Sequence, residues 1–292
     1  SQESKYAFGS NRMGTISESK YGDIWCPTYD GQACLFDVES EKFIDVLQPI
    51  ELSTKQTNYV TRIYSLEKGI AWILCENGYA FRVDEQLCKK GEGITLYAPS
   101  NHNLKGDQIF NVYQDSEEDE WILTDKGVSI IGKKTLDTDF PFQFITQIKE
   151  SIYLIAENDK LARYDFHTKK LKFVDIPYPH DKINNVTTIG KDMLALGTDN
   201  GLILYSIPQN SFQQIDIRTA TQTSNFVESV YQDCQGEIWI FSKDPGIVRL
   251  NLATNEKEHL FTPKDEIIKH GRKSRKLIFE DNANNLWLLP TE

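Results

Sequence analysis

Long apolar runs are missing from the sequence. The longest, Gly69–Cys75 and Leu286–Leu289 among them, fall far short of the roughly 18 residues needed to cross a bilayer. Positive charge is scarce as well, because 43 Asp and Glu residues outnumber 32 Lys and Arg residues and leave a formal net charge of −11. Binding to nucleic acid or to anionic lipid headgroups depends on Lys and Arg displacing counterions. We therefore expect no nucleic-acid partner and no membrane insertion in this region.

One short basic run departs from this balance, at Lys269–Lys276. It is compatible with a patch for anions or nucleic acid, but a charge run of this length is usually a solvated loop. We interpret it as a loop.

Cysteine and histidine are also few, with five residues of each. The cysteines include no Cys-x-x-Cys pair and no histidine stands at metal-ligand spacing, so they predict neither a zinc site nor an evident disulfide framework. Two of them, Cys26 and Cys75, fall in predicted buried strands and are expected to behave as small hydrophobic residues. The sequence predicts no metal and no cofactor. The five cysteines are Cys26, Cys34, Cys75, Cys88 and Cys234.

A repeat organises the residues that are present. Five tryptophans recur, three of them behind a glycine turn, and two further segments fit the same frame without tryptophan. Neighbouring anchors stand 47, 49, 32, 42, 44 and 48 residues apart, and most of these gaps match the length of a four-stranded propeller blade. The seven anchors are Trp25, Trp72, Trp121, Tyr153, Ala195, Trp239 and Trp287.

Two apolar columns accompany the anchors. Every residue nine positions before an anchor is apolar, and so is every residue one position after it. We expect the first column to lie in the innermost strand of each blade and the second in the neighbouring strand, both packed between adjacent blades. The tryptophan ring fills the gap between sheets, and its N–H is expected to find a carbonyl. The first column is Ile16, Ile63, Val112, Phe144, Val186, Val230 and Ile278, and the second is Cys26, Ile73, Ile122, Leu154, Leu196, Ile240 and Leu288.

Turn residues divide each repeat into strands. Glycine stands between the first and second strands, as at Gly22 and Gly236, and Asx-Gly pairs such as Asn200–Gly201 follow the second strand. Such pairs tolerate positive φ and close tight hairpins, which indicates antiparallel pairing. A third strand follows, as in Leu202–Tyr205, and a more polar fourth strand, as in Lys170–Val174, completes the repeat.

These features predict an all-β fold, a seven-bladed β-propeller of four-stranded antiparallel blades that forms a single domain over residues 1–292. The seventh repeat supplies only two strands, near Lys276–Glu280 and Leu286–Leu289. Two interpretations of this last blade stay open. Either it is incomplete, or the N-terminal stretch around Tyr6–Phe8 adds a strand to it, which would remove an exposed sheet edge.

The repeats resemble a known family. Val230–Ile240 and Val112–Ile122 are similar to the two-component regulator propeller repeat, and Leu196–Leu202 followed by Tyr205 is similar to its second half. The resemblance covers nearly the whole chain, although the fourth repeat replaces the Asx-Gly turn by Asn158–Lys160. WD and kelch blades fit less well, because the sequence has no Gly-Gly doublet and no Gly-His or Trp-Asp dipeptide.

The resemblance implies a function. Propellers of this kind are typical of the periplasmic sensor portions of hybrid histidine kinases in Bacteroidetes, where they precede a β-sandwich, a membrane helix and the kinase. It therefore implies a periplasmic, ligand-sensing module of a two-component system, with an oligosaccharide ligand and adjacent sensor domains of the same parent chain as partners. A homodimer is left open. The resemblance implies no enzymatic activity in this region, since a kinase activity would lie elsewhere in the parent chain.

Recognisable catalytic motifs are absent from the sequence, which has no Gly-x-Ser-x-Gly, no P-loop, no His-Glu-x-x-His and no dinucleotide fingerprint. Carboxylates do recur six residues before an anchor, at Asp115, Asp233 and Asp281. A glycosidase would pair two such groups as acid and base, but a group that recurs from repeat to repeat is more often a turn cap. A propeller-fold polysaccharide lyase or hydrolase, and a plain protein-interaction scaffold, remain as alternatives.

Loops that break the repeat are the candidates for ligand binding, because loops on a rigid scaffold carry most recognition. The connections Ala98–Leu104 and Pro177–Asp181 carry amphipathic rings suited to stacking on a sugar face or to hydrogen bonding with its hydroxyls. The Asx-Gly turns add two acidic residues on the face where propellers usually bind ligands. The predicted ligand-binding residues are Tyr97, His102, Tyr178, His180, Asp30 and Asp199.

Overall fold

The computed structural model shows β-strands throughout the chain, arranged among the described residues as seven antiparallel sheets. The chain divides into two compact units, Ser1–Gln143 and Phe144–Glu292. The structure describes residues 14–28, 32–47, 59–76, 78–98, 104–133, 136, 138, 140–218, 224–242, 246–261, 276–281 and 284–290.

The first unit contains sheets 1 to 3, and each sheet is built from strands that follow one another in sequence. A short 3₁₀ helix, Leu87–Lys90, interrupts the second sheet's outer connection. Sheet 1 consists of β1 (Ser17–Glu18), β2 (Ile24–Pro27), β3 (Ala33–Asp37) and β4 (Lys42–Leu47), sheet 2 of β5 (Val60–Leu66), β6 (Ile70–Cys75), β7 (Ala80–Asp84) and β8 (Ile94–Tyr97), and sheet 3 of β9 (Ile109–Gln114), β10 (Glu120–Thr124) and β11 (Gly127–Ile130).

The second unit contains sheets 4 to 7, apart from the first two residues of sheet 4. Sheet 4 consists of β12 (Phe142–Ile148), β13 (Ser151–Ala156), β14 (Leu161–Asp165) and β15 (Lys170–Val174), and sheet 5 of β16 (Ile183–Ile189), β17 (Met193–Thr198), β18 (Gly201–Ser206) and β19 (Ser211–Ile215). Sheet 6 consists of β20 (Ser229–Gln232), β21 (Ile238–Phe241), β22 (Ile247–Asn251) and β23 (Glu256–Phe261), and sheet 7 of β24 (Lys276–Glu280) and β25 (Leu286–Pro290).

The sheets match the seven predicted blades. Each of the seven anchors lies in the second strand of its sheet, from Trp25 in β2 to Trp287 in β25. Five sheets have the predicted four strands, whereas the described residues give sheet 3 three strands and sheet 7 two. The predicted closing strand around Tyr6–Phe8 lies outside the described residues.

Within each unit, neighbouring sheets enclose apolar clusters. In the first unit, Trp25 and Leu35 of sheet 1 share a cluster with Ile73 of sheet 2. In the second unit, Leu196 and Tyr153 belong to the cluster between sheets 4 and 5. Further clusters join sheets 2 and 3, and sheets 5 and 6. Burial between adjacent sheets explains why second strands such as β6 and β13 are buried at every position. The first strands do not show the predicted apolar residues on both faces, since β16 is fully buried only at Ile183 and Ile189.

Ile16, a member of the first column, is largely exposed. Its exposed fraction is 56%, and it precedes β1, which pairs with β2 over only two residues. The expectation that Ile16 would be buried in an inner strand is therefore wrong.

The tryptophan indole N–H groups donate hydrogen bonds to carboxylates rather than to the predicted carbonyls. The Trp25 Nε1 atom donates to Glu85 at 2.9 Å, and the Trp72 Nε1 atom donates to Glu120 at 2.6 Å. Trp72 thereby bonds to a residue of sheet 3, and Trp25 bonds to the residue that follows β7 of sheet 2. A buried indole N–H needs an acceptor, and a charged acceptor gives the stronger hydrogen bond.

Candidate functional site

The predicted ligand-binding residues that the structure brings together lie at the connection between β15 and β16. Pro177 and Pro179 flank Tyr178 in this connection, and each proline restricts its own backbone and that of the residue before it. The Tyr178 ring packs against the core between sheets 4 and 5. Its hydroxyl donates to the Phe212 carbonyl in β19 at 3.2 Å. Tyr178 therefore anchors the connection across sheet 5.

His180 lies between two backbone carbonyls. Its Nδ1 atom is 2.8 Å from the Tyr178 carbonyl oxygen, and its Nε2 atom is 3.3 Å from the Asp159 carbonyl oxygen. A neutral imidazole carries one N–H, so only one of these contacts is a hydrogen bond in that state. The half-buried ring thus leaves one nitrogen available to exchange partners.

Asp159 occupies the turn where the fourth repeat lacks a glycine. Its φ is +61°, a left-handed conformation that aspartate tolerates better than most residues. The turn places its carbonyl beside His180 and its Oδ1 atom 2.7 Å from the backbone N–H of Ile183, which donates to it. Sheet 4 therefore holds the first strand of sheet 5 through this turn.

Asp199 and Asn200 hold the same connection from the turn between β17 and β18. The Asp199 Oδ1 atom accepts the backbone N–H groups of Asp181 at 2.9 Å and Lys182 at 3.0 Å. The Asn200 side-chain amide donates to the Pro179 carbonyl at 3.1 Å. We call Asp159, Tyr178, His180, Asp199 and Asn200 the connection cluster. It combines three of the predicted residues with two that were not predicted as ligand contacts.

The other predicted residues lie elsewhere. Tyr97 is in β8, and its ring packs against Trp72 with centroids 4.8 Å apart. Burial raises the pKa of the Tyr97 hydroxyl above its ordinary value. His102 and Asp30 lie outside the described residues.

The recurring carboxylates are turn caps. The Asp115 Oδ1 atom accepts the backbone N–H groups of Glu117 and Asp119, both at 2.9 Å, and its Oδ2 atom accepts the Trp121 indole at 2.7 Å. The Asp233 carboxylate likewise accepts two backbone N–H groups of its turn and the Trp239 indole. These contacts confirm the interpretation of the repeated aspartates as caps.

Sequence reasoning missed a polar groove on sheet 6. The groove has a volume of about 560 Å³ and is lined by polar side chains. The Asn251 amide donates to Glu237 at 2.7 Å, and Arg249 pairs with Glu258 at 2.5 Å. A repeated arginine could have indicated it, because Arg82, Arg163 and Arg249 each stand ten residues after an anchor. The lining residues are Gln235, Glu237, Arg249, Asn251, Glu256, Lys257 and Glu258.

Within the part of the chain that the structure describes, no three His, Cys, Asp or Glu side chains are grouped closely enough to hold a metal ion. In that same part, no helix is both long enough and apolar enough to cross a membrane.

Comparison with known proteins identifies the fold. No protein-family model matches the chain, and no curated protein does either. Among solved structures, the chain is similar to the extracellular domain of BT3049 from B. thetaiotaomicron, described as a hybrid two-component system, with 18% identity and a TM-score of 0.63. The match covers 96% of this chain, which spans only 39% of the length of that domain.

Two other structures show the same architecture. A catalytically inactive virginiamycin B lyase from Staphylococcus aureus matches with 15% identity and a TM-score of 0.61, over 97% of this chain and 94% of the lyase. The WD40 repeats of RRP9 match with 11% identity and a TM-score of 0.54, over 87% of this chain and 82% of RRP9. Together with the seven antiparallel sheets, these similarities show that the chain has a β-propeller fold.

Proposed function

We propose that this chain is an extracytoplasmic, ligand-sensing propeller of a two-component signalling protein, and that it responds to a glycan. The connection cluster carries the proposal. Polar groups from three separate parts of the sequence converge there on one connection, and each is fixed by hydrogen bonds to rigid sheets. Binding residues held in this way require little reordering when a ligand arrives, which favours affinity.

The occupied carboxylates support binding rather than catalysis. A hydrolase needs two carboxyl groups that face the scissile bond, whereas Asp115 and Asp233 are engaged by backbone N–H groups and indoles. Glu85 and Glu120 are buried, and each accepts a hydrogen bond from a tryptophan indole. The carboxylates most central to the repeat therefore have structural partners.

The likeness to the BT3049 extracellular domain supports the signalling role. That domain belongs to a protein described as a hybrid two-component system, and the repeats of this chain resemble the propeller repeats of the same class. A membrane helix and a kinase downstream would follow from this proposal. The glycan and the periplasmic location rest on the repeat resemblance.

The glycan proposal is tested by thermal unfolding against a panel of plant and host oligosaccharides. A ligand at a hundredfold its dissociation constant stabilises by about 2.7 kcal/mol, which raises the Tm by several degrees. We expect His180→Ala to reduce that shift. His167→Ala is the matched control, because the His167 side chain is 81% exposed on a turn of sheet 4, away from the connection cluster.

Two results would change the proposal. No shift with any sugar would favour a protein partner, as expected for a plain interaction scaffold. Equal shifts in the His180 and His167 variants would place the glycan elsewhere, for which the groove of sheet 6 is the next candidate.

A lyase is the second candidate function, because the match to virginiamycin B lyase covers nearly all of both chains. A lyase would cleave its substrate and release products, whereas a sensor would return the ligand intact. Chromatography of each stabilising glycan after long incubation distinguishes them. New products that disappear on mutation of a carboxylate in the groove of sheet 6, such as Glu237→Gln, would establish an enzyme.

A further inference from the structure

Two of the five cysteines face one another across sheet 1. Cys26 in β2 is the direct partner of Cys34 in β3. The backbone N–H of Thr28 donates to the Gln32 carbonyl at 2.9 Å, so Thr28 and Gln32 form a hydrogen-bonded pair. Hydrogen-bonded and non-hydrogen-bonded pairs alternate along an antiparallel ladder. Cys26 and Cys34, two positions further along, therefore also form a hydrogen-bonded pair. Hydrogen-bonded pairs have Cα atoms about 5.5 Å apart, within the common range for disulfides. Their Cβ atoms stand at the wide end of about 4.5–5.5 Å, so the two strands draw slightly together when the bond closes.

Both thiols lie on the same buried side of the sheet. Directly opposed residues point to one face, and Cys26 and Cys34 are only 5% and 2% exposed. The Cys34 Sγ atom is 3.1 Å from Asp45 Oδ1, and the Cys26 Sγ atom is 3.6 Å from the Ile24 carbonyl. The two sulfur atoms therefore turn to different acceptors in the reduced protein, and both side chains rotate about χ1 when the bond closes.

The other cysteines are separated from this pair. Cys75 and Cys88 belong to the cluster between sheets 1 and 2, together with Trp25 and Leu35. Trp25 and Leu35 are the sequence neighbours of Cys26 and Cys34 and therefore occupy the opposite face of sheet 1. The backbone of that sheet stands between the two sets of thiols. Cys234 is exposed in the turn between β20 and β21.

We propose that Cys26 and Cys34 form a cross-strand disulfide that closes the hairpin of β2 and β3. The reaction joins the two sulfur atoms, releases two protons and passes two electrons to a disulfide oxidant, which is reduced to two thiols. Formation in the cell rests on the proposed extracytoplasmic location, since disulfides persist in oxidising compartments. Formation in vitro does not depend on that location.

The bond should form while the chain folds. The thiolate is the attacking species, and burial raises the pKa of the Cys26 thiol in the folded protein. The native pair is therefore slow to react, whereas the hairpin in a refolding chain is open to the oxidant. We expect refolding in oxidised glutathione to link the pair much faster than treatment of the folded, reduced protein.

Peptide mapping tests the proposal directly. The chain is refolded with oxidised glutathione, unfolded again in an alkylating reagent and cut with trypsin. Both cysteines fall in one tryptic peptide, residues 21–42, while Cys75, Cys88 and Cys234 fall in others. We expect the 21–42 peptide to carry no label and to be about 2 Da lighter than the dithiol, and the other three cysteines to be labelled.

Two labels on the 21–42 peptide, or a link from either residue to a third cysteine, would overturn the proposal. Cys26→Ser should leave Cys34 labelled, and the matched control Cys75→Ser should keep the 21–42 peptide linked. The measurement on the wild-type protein does not depend on the folding of any variant. Protein exported to a bacterial periplasm and alkylated on lysis tests formation in the cell separately. Free thiols in the exported protein would show that the bond does not form in an oxidising compartment and would contradict the proposal for the cell.

Discussion

Glu120 shows how single residues hold neighbouring sheets together in the first unit. Its side chain is 1% exposed, and it accepts hydrogen bonds from the Trp72 indole at 2.6 Å and from two Arg82 nitrogens. Lys68 adds an ion pair at 2.5 Å. The carboxylate therefore neutralises two cations and satisfies one buried indole at once, which is how a buried charge is accommodated in a core.

We predict that Glu120→Gln lowers the free energy of unfolding by about 2 kcal/mol, because it removes the anion while Arg82 and Lys68 keep their charges. Glu258→Gln is the matched control. Glu258 pairs with Arg249 at 2.5 Å, but both side chains are about half exposed, so its loss should cost less than about 1 kcal/mol. Denaturant unfolding measures both. Equal losses in the two variants would show that burial does not strengthen the Glu120 interactions.

The same carboxylate predicts a pH dependence. Burial alone would raise the pKa of Glu120, but hydrogen bonds from Arg82, Lys68 and Trp72 bring it below its ordinary value of 4.5. A carboxylate whose folded pKa is lowered stabilises the protein fully above its unfolded pKa, and that contribution is lost as the pH falls through the folded pKa. The difference in stability between wild type and Glu120→Gln should therefore be constant near neutral pH and shrink below about pH 4.5.

Acid titration of both proteins checks this prediction, since the remaining carboxylates titrate in both and cancel in the difference. Parallel stability curves from neutral pH down to about pH 3 would mean that Glu120 has an ordinary pKa in the fold.

Residues that act within one repeat were predictable, and those that act between repeats were not. Asp233 stands six residues before Trp239, and the recurrence of this spacing indicated a turn cap. Glu120 gave no such signal, because its partner Trp72 is 48 residues away and belongs to another sheet. The recurrence of a residue from repeat to repeat indicates contacts within each sheet. Contacts between sheets depend on how the sheets pack, which the repeat does not indicate.

At the scale of the elements, turns fix the length and register of the hairpins. Gly201 and Gly236 both have positive φ, +101° and +89°. They differ in surroundings. A Cβ added at Gly201 would lie 2.7 Å from the Ile215 carbonyl oxygen, whereas one added at Gly236 would meet nothing closer than Gln232 Nε2 at 3.9 Å.

We predict that Gly201→Ala is the more destabilising of the two glycine substitutions. Gly236→Ala should cost about 1 kcal/mol through backbone strain alone, and Gly201→Ala about 3 kcal/mol, because the backbone of β19 must also move. Thermal unfolding of both variants provides the measurement. If the two variants lose the same stability, the close approach at Gly201 has no energetic consequence.

Strand positions followed closely from the sequence, and the exceptions have local causes. The predicted strand Lys276–Glu280 coincides with β24, the predicted third strand Leu202–Tyr205 lies within β18, and the predicted fourth strand Lys170–Val174 coincides with β15. The 3₁₀ helix Leu87–Lys90 was not predicted. It begins where Asp84 Oδ1 accepts the N–H groups of Gln86 and Leu87, both at 3.0 Å, a local side-chain bond that apolar periodicity does not reveal.

The candidate site was only partly predictable for the same reason. Tyr178 and His180 were selected because their connection breaks the repeat, and Asp199 because it lies in an Asx-Gly turn. That these residues meet follows from the packing of sheet 4 against sheet 5. Tyr97 was selected by the same argument, but its ring contacts Trp72 in the core. An aromatic residue at a strand end can bind a ligand or pack in the core, and the sequence alone does not distinguish these two roles.

At the scale of the whole molecule, charge should select among glycans. A net charge of −11 creates a negative potential that repels anionic ligands over about 10 Å at an ionic strength of about 0.1 M. We predict that sulfated or uronate-rich polysaccharides bind more weakly than neutral ones. Added salt should strengthen whatever binding the anionic polymers show and leave neutral oligosaccharides unaffected. A glycan array read at low and high ionic strength measures this, with a neutral polysaccharide of similar length as the control. Binding of an anionic polymer that weakens with salt would contradict the prediction, since that response marks binding through basic residues such as those of the Lys269–Lys276 run.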